Sequence, residues 1–156
     1  EGASLGLTVS QNINEVRLGR GADIGLRSPR RERARAKEWV DKLRVRTRSP
    51  EQTVRTLSGG NQQKVVFAKW LSQGAEVLIA DNPTRGVDAG AKEEIYAIMR
   101  DLTASGASVL LVSDDLSELI GLSDRILVMH DGEIVGEVAS TPDSPAREED
   151  VVSLMV

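Results

Sequence analysis

The chain has 156 residues, 20 Lys and Arg against 24 Asp and Glu, a net charge of −4 and no cysteine. That length suits one domain with a sizeable core. The missing cysteines exclude disulfides and thiolate metal sites, which fits a reducing cytosol. No apolar run approaches the length of a membrane span, and the N-terminus carries no signal-peptide pattern. Glu1 in place of methionine fits a piece of something longer. The charge is uneven: residues 16–55 carry +8 and the remainder −12. A basic arm can serve nucleic acid, but its only aromatic is Trp39, so the stacking platform of a single-strand binder is missing. A solvated helical face is the better reading.

Residues 1–27 are glycine-rich, with an apolar run at Leu5–Val9 and a turn at Gly19-Arg20-Gly21. Ser28-Pro29 reads as N-cap and first helical residue of a charged helix reaching about Val45, its buried side holding Ala36, Trp39, Val40 and Leu43. Ser49-Pro50 breaks the chain before a short turn or helix to Arg55. A Ser-Gly-Gly turn then opens a helix to about Leu71. Beyond Gly74, Val77–Ala80 reads as a buried strand ending at Asp81. Lys92–Thr103 is helical, with Ile95, Ile98, Met99 and Leu102 on one face. Val109–Val112 is a second buried strand, followed by a short helix with Leu116, Leu119 and Ile120. Arg125–His130 is a third strand, turned by Asp131-Gly132 into Ile134–Val138. Thr141–Pro145 connects to a terminal amphipathic helix. The alternation predicts an α/β fold: a helical part first, then a mostly parallel sheet flanked by helices, then a C-terminal hairpin. The expected divisions are 1–73, 74–140 and 141–156.

Two stretches carry chemistry. In Leu57-Ser58-Gly59-Gly60-Asn61-Gln62-Gln63-Lys64 the helix start offers unpaired N–H groups and the positive end of the helix dipole, and glycine admits a ligand close to the backbone. The alternative for Ser58-Gly59-Gly60 alone is an ordinary N-cap with a flexible turn. Asp81 stands at the C-terminal end of a strand, where parallel sheets place ligands and where an aspartate can help hold Mg²⁺. Many strands also simply end in a turn-forming Asp. Asp88 reads as a helix N-cap or as a contact residue, and Arg85 as an ion-pair or interface group. His130, the single histidine, reads as structural or surface.

Together these residues resemble the ATP-binding cassettes of ABC transporters, over essentially the whole chain. Leu57–Lys64 resembles the signature, Val77–Thr84 the Walker B segment, Val87-Asp88 the D-loop and Val112–Asp115 the switch segment. The forms LSGGNQQKVVFAKWL and PTRGVDAGAKEEIY are similar to the second cassette of tandem-cassette importers for ribose-, galactose- and xylose-type sugars. Residues 1–15 resemble the segment just after the family's Q-loop. The resemblance implies a P-loop NTPase-like cassette that uses ATP and Mg²⁺ on the cytoplasmic face of a bacterial membrane. Its partners would be a first cassette, the permease subunits and, indirectly, a periplasmic or extracellular sugar-binding protein, with no nucleic acid. Ser58, Gly59, Gly60, Asn61 and Gln62 would serve an ATP held mainly by the opposing cassette, Asp88 would be the D-loop residue, and Asp81 would hold Mg²⁺. The basic helix falls where the family meets the permease, near anionic headgroups.

Three departures bear on activity. No G-x-x-x-x-G-K-[ST] occurs in the sequence, so this piece alone is expected to be inactive. Asn82 stands at the family's catalytic-glutamate position, and an amide cannot accept a proton from water as a carboxylate can. Asp114 stands at the switch-histidine position, adding negative charge near a phosphate. The expectation is a cassette that lends its signature to a partner while its own site is degenerate. The alternatives are a non-hydrolytic regulatory cassette of a nucleoside or other small-molecule importer and a non-transport ATPase acting on nucleic acid. The NQQK and TRGVDAGAKEEIY details and the absence of coiled-coil heptads argue against the last.

Overall fold

The computed structural model describes residues 2–15, 28–141 and 143–155; the turn expected at Gly19-Arg20-Gly21 lies outside them. The chain forms two compact units. The first comprises residues 1–78 and 83–109, the second 79–82 and 110–156.

The first unit opens with α1 (Val9–Glu15), whose buried face includes Asn12. That amide is fully used: Oδ1 accepts from Ser4 N at 2.7 Å, and Nδ2 donates to the carbonyls of Ser4 and Thr8 at 3.1 and 3.0 Å. A buried polar group is tolerated only with such pairing. Helix α2 (Pro29–Lys42) starts at the expected Ser28-Pro29 and buries Ala36 and Val40. Trp39 is only half-buried, with Lys42 Nζ 4.6 Å from its ring centroid.

Helix α2 ends three residues before the expected Val45. Arg44 takes a left-handed φ of 51°, Val45 N donates to Val40 O and Arg44 N to Asp41 O. This paired return of the chain is a Schellman ending, usually built on glycine. An arginine there costs roughly 1–2 kcal/mol of backbone strain, so something else must hold it. A 3₁₀ turn at Val54–Thr56 precedes α3 (Gly59–Leu71), which buries Val65, Ala68 and Leu71 together with Lys64 and Lys69.

Strands β1 (Val77–Asp81) and β2 (Ser108–Val112) flank α4 (Ala89–Ala104) in sequence. They pair with each other, Ser108 N donating to Glu76 O and Asn82 N to Val112 O. Both partners ascend together, so the pair is parallel, as a βαβ crossover requires. Helix α4 begins three residues earlier than its apolar periodicity suggests, because Asp88 Oδ1 caps it by accepting from Ala91 N at 3.0 Å. The expectation of buried strands is corrected on one face. Leu78 and Ala80 are buried, but Val77 and Ile79 are 64% and 68% exposed, and Leu110 and Val112 52% and 47%. Burial on both faces needs a layer on each side of the sheet, and the described residues cover one face only.

The second unit holds the ends of both strands, α5 (Leu116–Leu122), β3 (Arg125–His130), β4 (Glu133–Ala139) and α6 (Glu148–Val152). Among the described residues β3 pairs only with β4, antiparallel. The hairpin turns on Asp131 (φ 48°) and Gly132 (φ 82°), the two left-handed residues a tight two-residue turn demands. The core of the unit is Ile126, Val128, Ala146 and Val151, with Leu119, Val138 and Leu154 packed against it.

Candidate functional site

In the first unit the signature-like turn is built by α3 meeting α4. Gly60 is required sterically: a Cβ there would lie 2.4 Å from Ala91 Cβ. Gly59 sits against the loop before α4, where a Cβ would be 3.4 Å from Gly86 O. Ser58 precedes the helix in extended conformation, at φ −63° and ψ 157°, but its side chain makes no cap hydrogen bond. Its Oγ instead accepts from Asn61 Nδ2 at 2.8 Å, and Asn61 Oδ1 accepts from Arg46 N at 2.7 Å. Gln62 Nε2 donates to Leu57 O at 3.0 Å, tying the helix start to the residue before it.

Around this turn runs a charged network. Lys64, on the buried side of α3, donates to Arg44 O at 3.1 Å and pairs with Glu94 Oε2 at 2.5 Å. The Lys64 bond to its carbonyl is what holds the strained Arg44. Glu94 Oε1 pairs with Arg46 Nη2 at 3.1 Å. The hydrogen bond from Lys64, reinforced by the charges of Lys64 and Arg46, holds the Glu94 carboxyl below the usual carboxylate range against the opposing effect of burial. Ser58, Gly60, Asn61, Asp88, Arg46 and Glu94 all line one polar pocket of about 120 Å³. The sequence reading singled out four of these and missed Arg46 and Glu94. A signal for Glu94 was present: Lys64 lies four residues before Ala68 and seven before Leu71, and a lysine on an apolar face calls for a carboxylate.

In the second unit Asp81, Asn82 and Asp114 are brought together. Asn82 has φ 45°, and its Nδ2 donates to Asp81 Oδ1 at 3.2 Å. Its Oδ1 accepts from Asp114 N at 3.3 Å. The amide therefore bridges the end of β1 to the residue after Ser113. Ser113 Oγ in turn donates to the buried Glu118 Oε2 and accepts from Asp115 N at 3.1 Å. A glutamate at position 82 could accept from Asp114 N but could not donate to Asp81. His130 is exposed beside Asp131, 3.6 Å away, in neither cluster.

Among the described residues no group of three or more His, Cys, Asp or Glu is placed to hold a metal ion. Asp81 alone still suits Mg²⁺, which takes one or two carboxylates and completes its shell with water and substrate phosphates. Asp81 is exposed, and its Oδ2 is not the atom that Asn82 contacts. Among the described residues no helix is long and apolar enough to cross a membrane.

Residues 3–85 match the family model described as ABC transporter. The chain is 45% identical over 156 residues to a ribose import ATP-binding protein, RbsA, of Corynebacterium glutamicum, covering all of this chain and 29% of that protein. To the arabinose import ATP-binding protein AraG of Rhizobium johnstonii it is 45% identical over 148 residues, covering 94% and 29%. The chain thus spans about three-tenths of the length of such relatives. Among solved structures, a dimeric ATP-binding cassette, MJ0796, in a post-hydrolysis state bound to ADP and Pi superposes with a TM-score of 0.72 at 27% identity. That match covers 85% of this chain and 56% of that one. A nucleotide-free ATP-binding cassette from an ABC transporter gives 0.75 over 95% and 60%, its 20% identity speaking for the fold alone. The chain belongs to the ATP-binding family of ABC transporters.

Proposed function

We propose that the chain is part of the ATP-binding subunit of a bacterial sugar ABC importer, from the second of two cassettes. In this reading it acts on the cytoplasmic face of the membrane, with a first cassette and permease subunits as partners and a sugar-binding protein upstream of them. The observation that carries the reading is the α3 start. Ser58, Gly59 and Gly60 are held against the Asp88 turn, with the helix dipole and first-turn N–H groups available to an anion. Such a half-site can stabilise charge on a γ-phosphate whose other contacts come from a partner cassette, and charge stabilisation is the main lever in phosphoryl transfer.

The chain's own site is read as degenerate. Asn82 uses its amide to bridge Asp81 and Asp114, which supports a holding role and leaves no general base at that position. Asp114 adds a negative charge where phosphate would sit. Asp81 would hold Mg²⁺, which when bound with ATP would neutralise phosphate charge. Without a phosphate-cradling P-loop, residues 1–156 alone turn over no ATP.

The test is made in the full-length ATPase assembled with its permease. Ser58→Arg fills the half-site and is expected to abolish most ATP turnover, while Asn82→Ala leaves most of it. Loss with Asn82→Ala and full turnover with Ser58→Arg would reverse the assignment of the two sites.

A further inference from the structure

We infer that Asn61 is a positioning residue that orients the Ser58 hydroxyl by donating to its oxygen, leaving the Ser58 hydrogen to be donated to an anion. This rests on the reading of Ser58 as an anion contact and deepens it. The inference follows from donor and acceptor identities. Arg46 N–H is a backbone group and can only donate, so the Asn61 atom 2.7 Å from it must be the carbonyl oxygen. The amide orientation is thereby set, and the atom 2.8 Å from Ser58 Oγ must be Nδ2. Nδ2 can only donate, so Ser58 Oγ is the acceptor in that contact. A hydroxyl carries one hydrogen and two lone pairs. With a lone pair committed to Asn61, and the Ser58 hydroxyl donating to no group among the described residues, the hydrogen is left for an anion over the first turn of α3. Accepting one hydrogen bond also strengthens the bond the same hydroxyl donates.

The Arg46 N–H is itself held in place. Lys64 fastens the preceding Arg44 carbonyl at 3.1 Å, and Glu94 pairs with both Lys64 and the Arg46 guanidinium. The direction of one serine proton thus depends on a loop 12 residues earlier and a helix 36 residues later. Both ends of the Asn61 amide are engaged within the chain, so in this inference it acts through Ser58.

The experiment is a double-mutant cycle on ATP turnover in the full-length ATPase with its permease, using Ser58→Ala, Asn61→Ala and both together. Asn61→Asp is added as a variant of the same shape that keeps an acceptor for Arg46 N–H and replaces the donor facing Ser58 with a second acceptor. Ser58→Ala and Asn61→Ala are each expected to lower kcat by about tenfold or more with KM for ATP nearly unchanged. In the Ser58→Ala background, either change at 61 costs about twofold or less. Multiplying losses would overturn the inference by making Asn61 an independent contact or a purely structural group. Normal turnover in both Asn61 variants alongside a defective Ser58→Ala would overturn it too, leaving the half-site reading standing. Normal turnover in Ser58→Ala and Ser58→Arg would sink that reading itself.

Discussion

The two regions that carry family-like motifs are organised differently. In the first unit the signature-like turn is held by contacts between groups far apart in sequence: Arg46 N bonds Asn61, and Arg46 bonds Glu94, across 15 and 48 residues. In the second, Asp81, Asn82 and Asp114 are neighbours at the ends of two paired strands, joined by two bonds of 3.2 and 3.3 Å at exposed positions. On the proposed reading, the groups at the turn meet a phosphate on another domain and cannot be adjusted by that domain before contact. They gain from being fixed in advance by their own scaffold. On the same reading, the Asn82 site is relieved of chemistry and needs only to keep its strand ends together. The contrast predicts that substitutions of the buried groups around the turn damage stability and activity together, and that loss of the two Asn82 side-chain bonds does little to either.

The largest effect should come from Gly60→Ala. Replacing a helical glycine with alanine ordinarily gains up to about 1 kcal/mol. Here the new Cβ would stand 2.4 Å from Ala91 Cβ, so α3 and α4 must separate. Overpacking of that kind costs about 3 kcal/mol and outweighs the gain. Urea unfolding should show a clearly lower midpoint; an unchanged or raised midpoint would mean that the two helices are not locked there.

Glu94→Ala follows. It leaves the Lys64 ammonium, 2% exposed, with the Arg44 carbonyl as its one partner among the described residues. Breaking a fully buried pair costs about 3–5 kcal/mol. Because Glu94 is 40% exposed, solvent screening reduces this to about 2 kcal/mol. The same pair gives a pH signature. The folded-state pKa of Glu94 is depressed, so its stabilisation is present above the unfolded value of about 4.3 and is lost as pH falls through the folded value. Acid unfolding followed below about pH 4.3 should be shallower in Glu94→Gln than in the parent chain. Identical acid limbs would show that Glu94 is not linked to folding.

Much of this was legible in the sequence, for local reasons. The Ser-Gly-Gly helix start, the strand ending at Asp81, the Asp131-Gly132 turn and the apolar face of α4 are written in residues a few places apart, and the structure places them as read. What the sequence did not disclose depends on distant partners. The end of α2 was misplaced because Arg44 fills a position that sequence patterns assign to glycine, and Lys64, 20 residues on, makes that possible. Ser58 looked like an N-cap because its type fits, yet its oxygen is taken by Asn61, whose orientation is decided by Arg46. The strands read as buried because their apolar residues run on without a polar break. A second covering layer cannot be counted from a strand's own residues.

Asp88→Ala separates capping from any contact role. The cap bond from Ala91 N to Asp88 Oδ1 is 3.0 Å long and exposed, so its loss should cost about 1 kcal/mol of stability. Asp88→Ser retains a cap and should recover most of it. If ATP turnover in the full-length protein falls with Asp88→Ser while thermal stability does not, the aspartate serves more than its own helix. Turnover that tracks stability in both variants would reduce Asp88 to a cap.

The smallest effects bring the two regions into direct opposition. Arg46→Ala removes an ion pair whose arginine is 80% exposed, worth about 0.5 kcal/mol or less. It leaves the backbone N–H that orients Asn61 untouched, because every residue except proline supplies that group. Asn82→Ala removes two long hydrogen bonds at the end of β1, but it also puts alanine at φ 45°, where asparagine is tolerated better. Its cost should reach about 1 kcal/mol, mostly backbone strain, and Asn82→Gly should recover much of it while still lacking both bonds. Thermal unfolding of the three variants decides the matter. If Asn82→Gly is as damaging as Asn82→Ala, the bridge between Asp81 and Asp114 is the stabilising element, and the second region is held more firmly than its open geometry suggests.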